Sequence, residues 1–310
     1  MTTTKTKTQS NSSYALGVDT EELKLNKHKV YAFDVVNVII MIILTAVFLL
    51  PFWMIVATSL SSNGELLKHG AGIVIRGFTF EGYKFLFQMS DIFVRSLINS
   101  VVVSFVSSIL AVFVCTLAAY ALSVKSLPGR KILNVFFMIP MFFGGGTIPT
   151  YLVIRGIGIY NTIWALILPG VAGSYYIVLM RNFFYSVSPA LSEAARIDGA
   201  GYFTITRKIF MPLAVPMMLT IGLIHFVGKW NDYMSSILYL DTNNKQLWMS
   251  QYVLQQMLTQ IGSVFSLSAD APVTAAKNAG MVIVILPLVA MSPILQKYYV
   301  RGLMEGAVKG

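Results

Sequence analysis

The densest group of side chains able to carry charge lies in one stretch, Ser188 to Pro216 (SPALSEAARIDGAGYFTITRKIFMPLAVP). It holds Glu193, Arg196, Asp198, Arg207 and Lys208 between two long apolar runs. A second group, Lys229, Trp230, Asn231, Asp232 and Tyr233, closes the apolar run that follows. Neither has a catalytic pattern. His28, His69 and His225 are spread over a polar tail, a loop and an apolar run, at no metal-binding spacing. There is no Gly-x-Ser-x-Gly and no His-Glu-x-x-His. The nearest approach to a phosphate loop, Gly222 to Trp230 (GLIHFVGKW), has one residue too many between its glycines. It also has Trp230 where Ser or Thr must ligate magnesium. What remains is recognition chemistry. Glu193 can pair with a basic group on a partner, and Asn231, Asp232 and Tyr233 can bond hydroxyls and stack on a sugar ring. Tyr233 and Trp230 are also ordinary anchors at a membrane interface.

The first group reads as a short helix, an elbow and a second helix. Ser188 and Pro189 form a helix start, with the serine hydroxyl positioned to cap and the proline tolerated in the first turn. Ala190 to Ile197 are mostly good helix formers. Gly199 and Gly201 offer the positive φ that ends a helix and turns the chain. A further helix is expected from about Ile205.

The surroundings are a membrane. Of the 310 residues, 56% are hydrophobic and 12% charged, and the mean hydropathy is +0.70. Soluble domains carry about 25% charged residues. The net charge of +10 does not imply nucleic acid, because the basic residues flank apolar runs instead of forming one patch. Six runs approach the length of a membrane helix: Val35–Ala57, Leu97–Leu122, Ile132–Ile154, Thr162–Phe184, Ile209–Val227 and Asn278–Leu295. The predicted fold is therefore all-α and polytopic. Residues 1–30 are a polar tail without the apolar core of a signal peptide, expected to be disordered and cytoplasmic. Residues 31–310 form the transmembrane domain. Placing both termini inside puts fifteen Lys and Arg on the inner segments and eight on the outer ones, the bias expected of cytoplasmic loops.

Two long outer segments result. Residues 61–95 include GFTFEGYKFLFQ, which suggests an interfacial lid. Residues 231–277 include QLWMSQYVLQQMLTQI, with Leu247, Leu254, Leu258 and Ile261 at helical spacing, and then the irregular SVFSLSADAPVT. Gly144, Gly145 and Gly146, between Pro140 and Pro149, interrupt the third run. Cys115 is the only cysteine and sits in an apolar run, as a small buried hydrophobe would.

The order Glu193-Ala194-Ala195, then Gly199, then Ile209-Phe210-Met211-Pro212 resembles the EAA loop of ABC importer permeases, with Met211 where that family usually has Leu. The segment Trp230 to Tyr233 and the tail QKYYVRGLMEGAVKG resemble the carbohydrate-type members, in particular the smaller permease of maltose-type and oligosaccharide systems. The resemblance runs from the first span to the C-terminus. It implies the type I importer fold with a cytoplasmic coupling helix within residues 188–212. Glu193, Ala194, Ala195, Arg196, Asp198, Gly199, Ala200 and Gly201 would form the ATPase-coupling surface. Trp230, Asn231, Asp232 and Tyr233 would lie on the substrate path.

By the same resemblance the partners are a homologous permease, two ATPase subunits, a solute-binding protein, membrane lipid and a sugar. ATP and magnesium would be bound by the ATPase, with no cofactor in this chain. The alternatives are a permease of the same family for peptides, amino acids or phosphate, an ATPase-independent transporter, or an intramembrane enzyme.

Overall fold

The computed structural model describes residues 32–89, 91–259 and 272–307, so the tail predicted at residues 1–30 lies outside the described residues. The described residues are mainly helical, with a lone β-bridge pairing Ser61 and Phe78. Residues 1–49 and 50–310 form separate units. In the first, the described chain is the start of α1 (Ala32–Ser59), exposed along its length. Such a stretch is stable in hydrocarbon, because a helix satisfies its own backbone and needs only apolar side chains outside.

In the second unit come α2 (Asn63–His69), α3 (Glu81–Met89), α4 (Asp91–Ser123), α5 (Arg130–Phe142), α6 (Thr147–Gly156), α7 (Ile163–Ile167) and α8 (Ser174–Ser186). They are followed by α9 (Pro189–Ile197), α10 (Tyr202–Ile205), a π-helical turn (Thr206–Phe210), α11 (Met211–Leu213) and α12 (Val215–Trp230). Then come α13 (Met234–Tyr239), a 3₁₀ turn (Lys245–Leu247), α14 (Ser250–Thr259) and α15 (Val273–Ala307).

The centre is α4, against which α8 and α12 pack. One face of α4 is lined by small buried residues, Ser96, Ser100, Ser104, Ser107, Ser108, Ala111, Cys115 and Ala119. Lipid tails are as apolar as leucine, so helices in a bilayer gain by approaching closely over small residues and by bonding across the gap. Both occur here. A Cβ on Gly222 of α12 would lie 3.2 Å from Val112 Cγ2. Ser107 Oγ donates to the Ile167 carbonyl at 2.8 Å, and Ser100 and Ser250 hydroxyls meet at 2.9 Å.

Among the described residues, three helices are long and apolar enough to cross a membrane: Phe33–Ser59, Asp91–Ser123 and Val273–Pro293. Two bent pairs, Arg130–Phe142 with Thr147–Gly156 and Tyr202–Leu213 with Val215–Trp230, raise the number to five if each is one span. The first pair turns by 118° at the predicted glycine break, where Gly146 has φ +82°. The second bends by 78° beside Pro212 and Pro216, so the run predicted from Ile209 begins before the bend.

The run predicted as one helix over Thr162–Phe184 is divided. Helix α7 stops at Ile167, and α8 starts only at Ser174. Pro169 cannot donate to a helix ladder, and Gly170 at φ +85° turns the chain between them. The predicted outer helix is α14, whose buried residues are Ser250, Tyr252, Val253 and Met257; Leu247 and Leu254 are half-buried against the same core, and Leu258 is exposed. Ile261 and most of the irregular stretch after it lie outside the described residues.

Candidate coupling and path sites

The candidate sites lie at the two ends of α12, which rises about 24 Å over its length. At the first end, helix α9 contains no buried residue. Glu193, Ala194, Arg196, Asp198, Gly199 and Gly201 are exposed, as are the large apolar side chains of Leu191, Ile197, Tyr202 and Phe203, with Ile197 at 87%. Ala195 and Ala200 are half-buried and attach the helix to a core of Tyr120, Ile177, Phe184, Ile205 and Phe210. The rings of Tyr120 and Phe210 meet edge-on at 5.0 Å, and those of Phe184 and Phe210 at 5.4 Å.

The elbow after α9 is closed by two backbone bonds, Ala200 N–H to the Ala195 carbonyl at 2.9 Å and Gly199 N–H to the Arg196 carbonyl at 3.0 Å. This is the Schellman pattern, which needs a left-handed residue at the turn. Gly199 supplies it at φ +79°. Gly201, expected to share that role, is extended at φ −73°; one left-handed residue suffices to reverse the chain. The Arg196 guanidinium lies 4.6 Å above the Tyr202 ring and braces the elbow.

Ser188 does not cap α9 with its side chain. Its carbonyl instead accepts from Leu191 N–H at 3.3 Å, and the Ser192 hydroxyl donates to the Pro189 carbonyl at 2.8 Å. Proline at the first position already removes one of the donors a cap would serve. The second helix begins at Tyr202, slightly earlier than expected, and passes through the π turn, a form concentrated at functional sites.

At the other end of α12 the four residues expected on a path divide into two pairs. Trp230 is buried, donates its indole N–H to the Val284 carbonyl at 3.1 Å and stacks on Phe226. Asp232 accepts the Ser235 backbone N–H at 3.0 Å and the Ser235 hydroxyl, and lies 3.8 Å from Lys229 Nζ. Lys229 is buried and donates to the Leu166 carbonyl at 2.8 Å. These groups tie α7, α12, α13 and α15 together. Asn231 and Tyr233 are exposed, and Asn231 accepts from Gln251 Nε2 at 3.2 Å.

A polar knot that the sequence reading did not pick out adjoins this end. Asp241 Oδ2 accepts from Asn161 Nδ2 at 2.8 Å and Oδ1 from the Tyr160 hydroxyl at 2.9 Å. Asn244 Nδ2 reaches Asn161 Oδ1 at 3.0 Å. Asn161 has φ +60°, an uncommon conformation that Asn tolerates best after Gly. Its position after Gly158 in a short turn was the available signal. The Tyr160 hydroxyl is pushed above its ordinary pKa, first by its bond to the Asp241 carboxylate. Arg155 lies over the rings of Tyr160 and Tyr151, at 4.6 and 5.4 Å.

Comparison with known proteins agrees with this architecture. Protein LplC of Bacillus subtilis is 34% identical over 283 residues, covering 90% of this chain and 95% of that protein. The polygalacturonan/rhamnogalacturonan transport system permease protein YtcP of the same organism is 32% identical over 288 residues, covering 90% and 98%. Among solved structures, a chain of a bacterial ABC transporter involved in the import of the acidic polysaccharide alginate superposes with a TM-score of 0.77 at 26% identity, covering 86% of this chain and 96% of that one. Residues 111–305, which hold both candidate sites, match the family model described as the binding-protein-dependent transport system inner membrane component, and the chain belongs to that family.

Proposed function

We propose that this chain is the carbohydrate-translocating permease of a bacterial ABC importer, with an oligosaccharide as substrate. It pairs with a homologous permease and couples transport to two separate ATPase subunits that bind the ATP and magnesium. A solute-binding protein delivers the sugar, and both termini lie in the cytoplasm.

The observation that carries the coupling role is α9 itself. A helix with no buried residue, closed by a Schellman turn and carrying Leu191, Ile197 and Glu193 outward, is built to be covered by another protein. Its apolar residues would fill a cleft of the ATPase, and Glu193 would meet a basic group at the rim. A displacement of α9 would pass through Ala195, Ala200 and the Tyr120–Phe184–Phe210 rings into α4 and α8, a rigid-body route of the kind that switches access. The apolar groove of about 640 Å³ between α4 and α12, lined by Phe105, Ile109, Leu219 and Phe226, offers the homologous permease a face.

The carbohydrate assignment is supported by the relatives, whose names include a polygalacturonan/rhamnogalacturonan permease and an alginate importer. On the path, Asn231 and Tyr233 are the two exposed groups of the four, and they would contact the sugar. The test is purification of the tagged complex from its native membrane, followed by ATPase assays with the binding protein and oligosaccharide panels. Co-purification of an ATPase and a second permease, with hydrolysis stimulated by an oligosaccharide, is expected. Stimulation by a peptide or amino acid instead would replace the substrate class, and absence of any ATPase would overturn the coupling role.

A further inference from the structure

Beside α9 lies a cleft of about 480 Å³, within the roughly 300–1,000 Å³ range of small-ligand sites. Its walls are the end of α4, the α4–α5 link, the end of α8, and α9 with Tyr202. Three cations line it, Lys125, Arg130 and Arg196, against one carboxylate, Glu193.

Arg130 is set in advance for a ligand. Its Nε donates to the Leu122 carbonyl at 3.0 Å and one terminal nitrogen to the Tyr185 hydroxyl at 2.7 Å, with Tyr185 also 5.4 Å below the guanidinium. These bonds use two of the five N–H groups of a guanidinium and fix its plane, leaving the rest for an acceptor. Arg196 is held against Tyr202 at 4.6 Å. Lys125 is exposed at the cleft mouth, and the hydroxyls of Ser126 and Tyr202 lie 3.2 Å apart across it. A half-buried, oriented arginine with two further cations and hydroxyls around it is suited to a phosphate group.

The setting selects the source of that phosphate. The cleft opens where two apolar helices, α4 and α8, end, and exposed rings surround it: Tyr185 at 46%, Tyr202 at 51% and Phe203 at 66%. Amphipathic rings at helix ends mark the headgroup level of a bilayer, and basic pockets between membrane helices on the cytoplasmic side take anionic headgroups.

We propose that the cleft formed by Lys125, Arg130, Arg196, Tyr185 and Tyr202 binds the phosphate of an anionic phospholipid. The lipid seats α9 against α4 and α8. It leaves Leu191 and Ile197 outside for the ATPase. The site rests on the orientation proposed above only in assigning the lipid to the inner leaflet.

The experiment uses the whole complex in nanodiscs of phosphatidylcholine and phosphatidylglycerol, extracted into mild detergent and weighed by native mass spectrometry. The wild type is expected to retain phosphatidylglycerol. The variant Lys125→Gln/Arg130→Gln should lose at least several-fold of it, and Lys84→Gln, on α3, should lose none. Because Arg130 also braces α8, Lys125→Gln alone is measured too and should show a smaller loss in the same direction. Equal retention in wild type and both cleft variants overturns the proposal.

Inorganic phosphate is the second probe. If it raises the unfolding temperature of the wild type but not of the variants in pure phosphatidylcholine, while phosphatidylglycerol retention is equal in all, the cleft takes free phosphate and the lipid assignment falls. Sided labelling of Ser126→Cys, in a Cys115→Ser background, reads the orientation independently. Labelling from outside would move the site to the outer leaflet without removing it.

Discussion

The two ends of α12 each carry a cluster of charged residues, and the clusters are built in opposite ways. At the α9 end, charged and apolar side chains point outward, the closing bonds are backbone bonds within the elbow, and attachment to the core is through two alanines. At the α13 end, Lys229, Trp230 and Asp232 turn inward and bond to Leu166, Val284 and Ser235. The difference teaches that one end leaves its side chains open, the surface proposed here for another protein, whereas the other is a staple bonded within the chain. Substitutions should therefore separate: loss of coupling without loss of stability at α9, and loss of stability at α13.

The largest stability effect is expected at the staple. Lys229→Met removes the donor to the buried Leu166 carbonyl and the cation 3.8 Å from Asp232, and should destabilise by about 1–3 kcal/mol. Cys115 is buried in the α4 face. In a complex whose partners lack cysteine, its reaction with a thiol-reactive dye on heating reports the unfolding. Adding Asp232→Leu should recover part of the loss, since no lone charge then remains. A Lys229→Met protein as stable as the wild type would place this end among the partner-completed surfaces.

A smaller effect is expected from Trp230→Phe. It keeps most of the packing on Phe226 but loses the bond to the Val284 carbonyl, for a cost of roughly 0.5–1.5 kcal/mol. The same unfolding assay checks it. A loss of uptake with unchanged unfolding would instead assign Trp230 to the path.

The smallest effect sharpens the comparison at the Asp241–Asn161–Tyr160 knot. The Tyr160 pKa is raised in the folded chain because its hydroxyl donates to the Asp241 carboxylate. The stability this contributes is present below the ordinary tyrosine pKa, about 10, and is lost as pH rises through the folded value. Asp241→Asn should return the Tyr160 titration toward its ordinary value. The difference between absorbance titrations of each protein and its Tyr160→Phe partner reads it. An unchanged midpoint would mean that the bond does not form in the assembled transporter.

The α9 end was legible in the sequence because its determinants are local. Gly199 needs only the preceding helix to dictate its left-handed turn, and the spacing from Glu193 to Pro212 is contained in one loop. The α13 end was not, because Lys, Trp, Asn, Asp and Tyr serve equally as interfacial anchors, path lining or internal ties. The partners that make Lys229 and Trp230 internal ties, Leu166 and Val284, are 63 and 54 residues away.

The division of the fourth predicted run had a local signal, Pro169-Gly170 followed by Gly173, but averaging hydropathy over a span-length window hides a break of this size. The buried side of α14 is only partly visible in the leucine spacing, for a related reason. Leu247 and Leu254 of the stripe pack half-buried against the core, but its centre is Met249, Val253 and Met257, and methionine fills irregular gaps as readily as leucine.

The most direct test of the account is made on α9. Glu193→Lys reverses the outward charge, and Gly199→Val places a side chain at φ +79°, in open space but at a backbone cost of about 1 kcal/mol or more. The measurement is uptake into vesicles beside substrate-stimulated ATP hydrolysis in the reconstituted complex. Both variants should assemble with the partner permease and lose uptake, either because the ATPase no longer binds or because its hydrolysis no longer responds to substrate. Normal uptake with normal stimulation in both would contradict the assignment of α9 as the coupling helix.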